Sequence, residues 1–212
     1  MGNPREKWAQ SIPHRVHQQA IQPDTMIKHS NPPQLGDSAP GFSLPDADGR
    51  LHEYGEIARN GPMLVAFICN HCPYVVHIAG AFADFAREYQ ARGLAVVAIS
   101  ANDIQSHPQD APPLMAEFAR RHRFSFPYLY DESQQVALAY GAVCTPDLFL
   151  FDSQRRLAYR GQFDSSRPRS GAASDGADMR AAADTVLAGR IPENQRASVG
   201  CSIKWKPGNA PD

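Results

Sequence analysis

No apolar run in this 212-residue chain is long enough to span a bilayer, and its first residues lack the apolar core of a secretory signal. Neither a membrane partner nor export is expected, and the cytoplasm is the expected compartment. Charge of one sign is missing too. With 21 Lys and Arg against 22 Asp and Glu, the net charge of −1 exerts no long-range pull on nucleic acid. The cluster Arg120-Arg121-His122-Arg123 reads as the solvated end of a helix. Cysteine is scarce: only Cys69, Cys72, Cys144 and Cys201. In a reducing compartment so few thiols are not expected to form structural disulfides, which leaves redox catalysis or metal binding. No second closely spaced ligand pair completes a structural zinc pattern, and no internal repeat exists. Residues 1–35 lack hydrophobic periodicity and read as an N-terminal extension.

What is present suffices for a core, since 42% of residues are hydrophobic. The Gly61-Pro62 breaker precedes the strand-like run Met63 to Ile68. Val75, Ile78, Phe82, Phe85 and Tyr89 then recur at helical spacing, with Gly93 as a stop. Between them lies Cys69-Asn70-His71-Cys72-Pro73, which places two thiols where a strand gives way to a helix. Exposed N–H groups and the positive end of the helix dipole favour a thiolate there, the form that attacks disulfides and peroxides. Three residues apart on a helix, Cys69 and Cys72 share a face and can close a disulfide. Cys69, expected nearer solvent, is the attacking thiol and Cys72 the resolving one. His71, when protonated, favours the reduced thiolate and makes the disulfide more oxidising. Pro73 makes the first turn irregular or delays its start by one residue.

Elsewhere, Phe42-Ser43-Leu44, the turn Asp46 to Gly49 and Leu51 predict a hairpin. Leu94 to Ser100 reads as a strand covered on both faces, followed by a helix from Pro113 to His122. A short strand at Phe126 to Tyr130, a helix at Ser133 to Tyr140, paired strands Asp147 to Phe151 and Leu157 to Tyr159, and a helix carrying Met179, Ala182, Ala183, Val186 and Leu187 complete the pattern. Strands alternating with helices and closing on a hairpin and a helix predict a three-layer α/β domain with a mixed central sheet. Asn102 and Asp103, at the carboxyl edge of a strand, are read as a turn, and His77 as structural.

This order of elements resembles the thioredoxin fold, and within it the redoxin branch, the alkyl hydroperoxide reductase/thiol-specific antioxidant family. The resemblance covers about residues 36–190, leaving 191–212 as a tail. Its carriers are Ala39-Pro40-Gly41-Phe42-Ser43-Leu44, Cys69-Asn70-His71-Cys72, Phe126-Pro127-Tyr128-Leu129, Tyr140-Gly141-Ala142-Val143, Thr145-Pro146 and Tyr159-Arg160-Gly161. With Pro73-Tyr74-Val75 and the tail Gly200-Cys201-Ser202-Ile203-Lys204-Trp205, the chain is similar to a peroxiredoxin-like subgroup. The resemblance implies a three-layer α/β/α thioredoxin fold with a cis Thr145–Pro146 bond facing the dithiol, where an extended substrate segment docks by strand-like pairing. An ordinary trans proline is the alternative.

Function follows the same resemblance: a thiol–disulfide oxidoreductase using Cys69 and Cys72 on a protein or small-molecule disulfide, recycled by a thiol reductant, with no cofactor. A homodimer is one arrangement such proteins adopt. Where peroxiredoxins of this kind carry threonine three residues before the reactive cysteine, Ala66 stands here, so thiol-dependent peroxide reduction is the second reading. A third is copper or zinc binding by Cys69, Cys72 and either Cys144 or Cys201. Cys144 is either a third redox thiol or a small buried strand residue. Cys201 is either incidental or able to pair with a sulfenic acid on Cys69 or with Cys144.

Overall fold

The structure, a computed structural model, describes residues 33–59 and 61–211, so the extension expected over residues 1–35 lies almost wholly outside the described residues. The predicted hairpin forms from β1 (Ser43–Pro45) and β2 (Leu51–Glu53), and a short helix α1 (Tyr54–Ala58) follows. Then come β3 (Met63–Phe67), α2 (Pro73–Gln90), β4 (Ala95–Ser100), a 3-10 turn (Pro108–Asp110) and α3 (Pro112–His122). The second half consists of β5 (Tyr128–Tyr130), α4 (Gln135–Ala139), β6 (Cys144–Thr145), β7 (Asp147–Phe151), β8 (Leu157–Gly161), α5 (Ala177–Leu187) and β9 (Cys201–Ser202).

Five strands form the central sheet in the order β5-β4-β3-β7-β8. β3, β4 and β5 run parallel, while β7 lies antiparallel to both β3 and β8, which makes the sheet mixed. The reason is legible in the residues. A strand buried on both faces is a continuous apolar run, and its alternate side chains feed two cores. Leu64, Ala66 and Ile68 face the core built with α2, α3 and α5, whereas Met63, Val65 and Phe67 face the core with α1, α4 and the tail. Phe82 sits at the centre of the first core, within 5.4–6.5 Å of the rings of Phe85, Phe124, Phe126 and Phe163. Full burial of a side chain of this size contributes about 1.5–3 kcal/mol. The architecture is the thioredoxin fold. It places the carboxyl end of β3, the amino end of α2 and the strand β6 together.

Candidate active site

β3 ends at Phe67 and the chain turns through Cys69, Asn70 and His71 before α2 begins at Pro73. Cys72 is the residue that caps the helix, with extended backbone at φ −65° and ψ 123°, and its carbonyl accepts the N–H of Val76 at 2.9 Å. Proline therefore occupies the first helical position, where a missing N–H leaves nothing unsatisfied and where its fixed φ suits the helix. This corrects the expectation that the two cysteines share a helical face: Cys69 lies in the turn before the helix. It also settles the start of α2 at Pro73. A second correction concerns access. Cys69 was expected to be the more open thiol, yet Cys69 and Cys72 are 1% and 0% exposed. Among the described residues all four cysteines are free thiols.

Thr145 ties the pair to β6. The Cys72 thiol lies 3.1 Å from the Thr145 carbonyl oxygen, and the Thr145 hydroxyl lies 3.4 Å from Cys69 Sγ. The Thr145–Pro146 bond is cis, as expected. Electrostatics divide the two sulfurs. Cys72 is pushed down to about 4, first by the hydrogen bond from Cys69 and further by the N–H groups of Val75 and Cys201, against its burial. Cys69 is pushed up, first by holding the proton for Cys72, then by burial and by the Asp110 carboxylate. The contact with Thr145 O pulls the other way, because a sulfur 3.1 Å from a carbonyl oxygen must be a thiol to be favourable there. Both statements hold if one proton is shared. On Cys69 it leaves the anion on Cys72. On Cys72 it is donated to Thr145 O, and the Cys69 anion then accepts the Thr145 hydroxyl. The second arrangement matches every polar atom.

Asp110, which the sequence reading overlooked, organises the turn. It is fully buried; its Oδ1 accepts the Asn70 N–H at 2.8 Å, and its Oδ2 accepts from His71 Nδ1 at 2.7 Å and Asn102 Nδ2 at 2.9 Å. The bond between Nδ1 and the carboxylate fixes the orientation of the His71 ring. The His71 ring stacks on His107 at 5.2 Å, and Asn70 donates to Gln109 O at 3.0 Å and accepts the Tyr128 hydroxyl at 3.1 Å. No periodicity marks Asp110 in the sequence; it sits in a short turn flanked by Pro108, Pro112 and Pro113. The only available signal was its place on the loop after β4, at the carboxyl edge of the sheet. Asn102 links this network to the tail through the Lys204 N–H at 2.8 Å, whereas Asp103 makes the predicted turn by accepting the Gln105 N–H at 3.0 Å.

The remaining candidates separate. Cys144 is buried on β6, its thiol pushed up to about 12 by burial and the nearby Asp147 carboxylate, and it donates to Pro146 O at 3.6 Å. Cys201 lies opposite Thr145 in the β6–β9 pair and is partly exposed. His77 bonds Ser166 Oγ at 2.8 Å, in keeping with a structural role. For a metal, Cys69, His71 and Asp110 each bring one donor atom within 4.8 Å of the others. Both Asp110 oxygens and His71 Nδ1 are already committed to hydrogen bonds, so this set is better described as a positioned acid–base network than as an open ligand cage.

Residues 35–160 match the AhpC/TSA family. A hypothetical protein from Sinorhizobium meliloti 1021 superposes with a TM-score of 0.81 at 49% identity, over 84% of this chain and 98% of that one. Peroxiredoxin Q, chloroplastic, of Oryza sativa subsp. japonica is 30% identical over 115 residues, 54% of this chain and 48% of that protein. The thiol-disulfide oxidoreductase ResA of Geobacillus thermodenitrificans is 28% identical over 130 residues, 58% of this chain and 66% of that protein. The chain thus spans less than two thirds of both curated relatives.

Proposed function

We infer the reaction from the premise that this chain belongs to the AhpC/TSA family. The reading is a thiol–disulfide oxidoreductase in which Cys69 and Cys72 cycle between dithiol and disulfide. The observation that carries it is the placement of both sulfurs on the one residue Thr145, Cys72 on its carbonyl and Cys69 on its hydroxyl. Cys69 as thiolate attacks one sulfur of the substrate disulfide, and the second leaves as a thiolate. Cys72 then attacks Cys69 in the mixed disulfide, releases the second substrate thiol and closes the Cys69–Cys72 bond; an external thiol returns the two electrons. Thr145 holds the Cys72 thiol by a hydrogen bond to its carbonyl until that thiol passes its proton to the departing substrate thiolate, and His71, steadied by Asp110, exchanges protons with the leaving thiolates. Equilibration in graded glutathione buffers, alkylation of free thiols and disulfide mapping by mass spectrometry test this. A reversible Cys69–Cys72 bond is expected; two thiols that stay free under oxidation refute it.

One contact favours peroxide reduction as a second reading. Ala66 withholds the usual hydroxyl, yet the Thr145 hydroxyl stands at 3.4 Å from Cys69 Sγ and can hold a peroxide oxygen there. Cys69 thiolate would take one peroxide oxygen to become sulfenic acid, the other leaving as alcohol or water with a proton, and Cys72 would displace water from the sulfenic acid to form the disulfide. Oxidation of Cys69 by peroxide no faster than that of a free thiol, or equal rates in wild type and Thr145→Val, sets this reading aside.

A further inference from the structure

The strand edge beside the dithiol is filled by the chain's own tail. β9 runs antiparallel to β6, with Cys201 opposite Thr145 and Ser202 opposite Cys144, and the Ile203 N–H extends the pairing to Val143 O at 3.1 Å. Gly200 makes the approach sterically feasible. A Cβ there would lie 2.0 Å from Thr145 O and 3.1 Å from Pro146 N, so any larger residue pushes the tail off this peptide. Beyond the strand the tail is anchored in both directions. Ile203 is buried and Trp205 packs against the second core. Lys204 donates its N–H to Asn102 Oδ1 at 2.8 Å and accepts at its carbonyl from Asp103 N–H at 2.8 Å and Gln134 Nε2 at 3.0 Å.

A polypeptide that binds by adding a strand requires an unpaired edge whose N–H and C=O groups it can take up. At β6 those groups already belong to β9, and the dithiol lies buried beneath. We propose that β9 is a built-in occupant of the substrate edge, and that the dithiol therefore turns over compact, low-molecular-weight disulfides in preference to disulfides carried in extended polypeptide. This rests on the Cys69–Cys72 reading above. The electrons balance as in that cycle: the dithiol gives two electrons to the small disulfide, which leaves as two thiols, and Cys69–Cys72 forms. Gly200 is then a specificity-determining residue, acting through the backbone it lets approach rather than through contact with substrate.

The test compares oxidation of the reduced full chain by bis(2-hydroxyethyl) disulfide and by a linear peptide of about ten residues bearing a central mixed disulfide. Wild type is expected to react at least about tenfold faster with the small disulfide than with the peptide. Gly200→Val, which displaces β9 and with it the Cys201 N–H from Cys72, is expected to raise the ratio of the peptide rate to the small-disulfide rate by about tenfold. Amide exchange at Ile203 gives a reading that does not depend on how well the variant folds: in wild type it is expected to stay protected when a non-reducible peptide analogue is added. Equal rates for the two disulfides in wild type, or release of the Ile203 amide by the peptide analogue, overturns the proposal. Failure of both disulfides to oxidise the dithiol overturns the underlying redox reading as well, and the two failures are distinguished by whether a Cys69–Cys72 bond forms in glutathione buffer.

Discussion

The turn that carries Cys69 and Cys72 and the tail that carries Cys201 both reach Thr145, and they are built by different means. The turn is made from its neighbours in sequence: a strand that ends at Phe67, a proline that fits the first position of α2, and a capping residue that is itself one of the two thiols. The tail has only the two-residue strand β9, and it is fixed by partners from across the chain. The Ser198 hydroxyl donates to Asp147 Oδ1 at 2.8 Å, the Arg196 carbonyl accepts the Gln162 N–H at 2.8 Å, and Lys206 N–H donates to Gln134 Oε1 at 2.8 Å. The two thiols are placed by local geometry and held by Thr145 and Asp110, whereas access to them is set by the contacts of the tail. Substitutions in the turn should therefore change what reacts, and substitutions under the tail should change stability and which substrates enter.

The largest effect separating the two is expected from Cys69→Ser or Cys72→Ser, either of which should lower disulfide turnover by about a thousandfold, because two residues acting as a unit are lost together. A coupled thiol reduction assay checks this, and Cys201→Ser should retain most of the wild-type rate. Acidification comes next. With the first ionisation of the Cys69–Cys72 pair held down at about 4, the thiolate content of the pair should stay level through neutral pH and fall about tenfold per unit below that value, measured by the ultraviolet absorbance of thiolate. The stability consequence has a sign. Against an ordinary thiol value of 9.0, the depressed first ionisation of the shared-proton pair adds stability as pH rises from about 4 to 9.0, fully present above it, and the raised second ionisation removes stability as pH climbs beyond 9.0. Urea midpoints of reduced wild type should therefore rise from acid toward pH 9.0 relative to the Cys69→Ser, Cys72→Ser double variant, and decline above it.

Glycines sharpen the comparison further. A Cβ on Gly161 would sit 2.0 Å from Arg196 O, under the tail, so Gly161→Ala should cost about 3 kcal/mol in urea denaturation. Gly80, on the exposed side of α2, has nothing within 4 Å, and Gly80→Ala should instead stabilise by about 0.5–1 kcal/mol. Asp110→Asn places a donor where His71, Asn70 and Asn102 all supply donors, and should cost about 1–3 kcal/mol. His71→Ala should make the disulfide more reducing by about 30 mV in glutathione equilibrium, since Asp110 loses a hydrogen-bond partner and its carboxylate then disfavours the nearby thiolate more strongly. The smallest change is expected at Cys144. Its thiol is pushed up to about 12 and is no nucleophile near neutral pH, so Cys144→Ala should leave the dithiol potential unmoved and cost about 1 kcal/mol.

The residue order alone carried the order of strands and helices, the two-faced apolar runs of β3 and β4, the redoxin family, the two thiols at the start of a helix and a cis proline opposite them. The family and the cis proline came with the resemblance; the rest depends on interactions between near neighbours or on periodicity, and a strand or helix shows its period wherever it stands. Three features needed the folded chain. Asp110 is buried and reaches the site only because β4 ends beside β3, which lets the loop after one strand bond to the turn after the other. The burial of Cys69 arises from packing around the turn, which no local pattern records. The tail lacks periodicity, so its docking on β6 through Gly200, Ile203 and Lys204 became visible only in three dimensions. Sequence determined which atoms can react; tertiary structure decided which of them are hidden, because closing a strand edge takes two segments that are far apart along the chain.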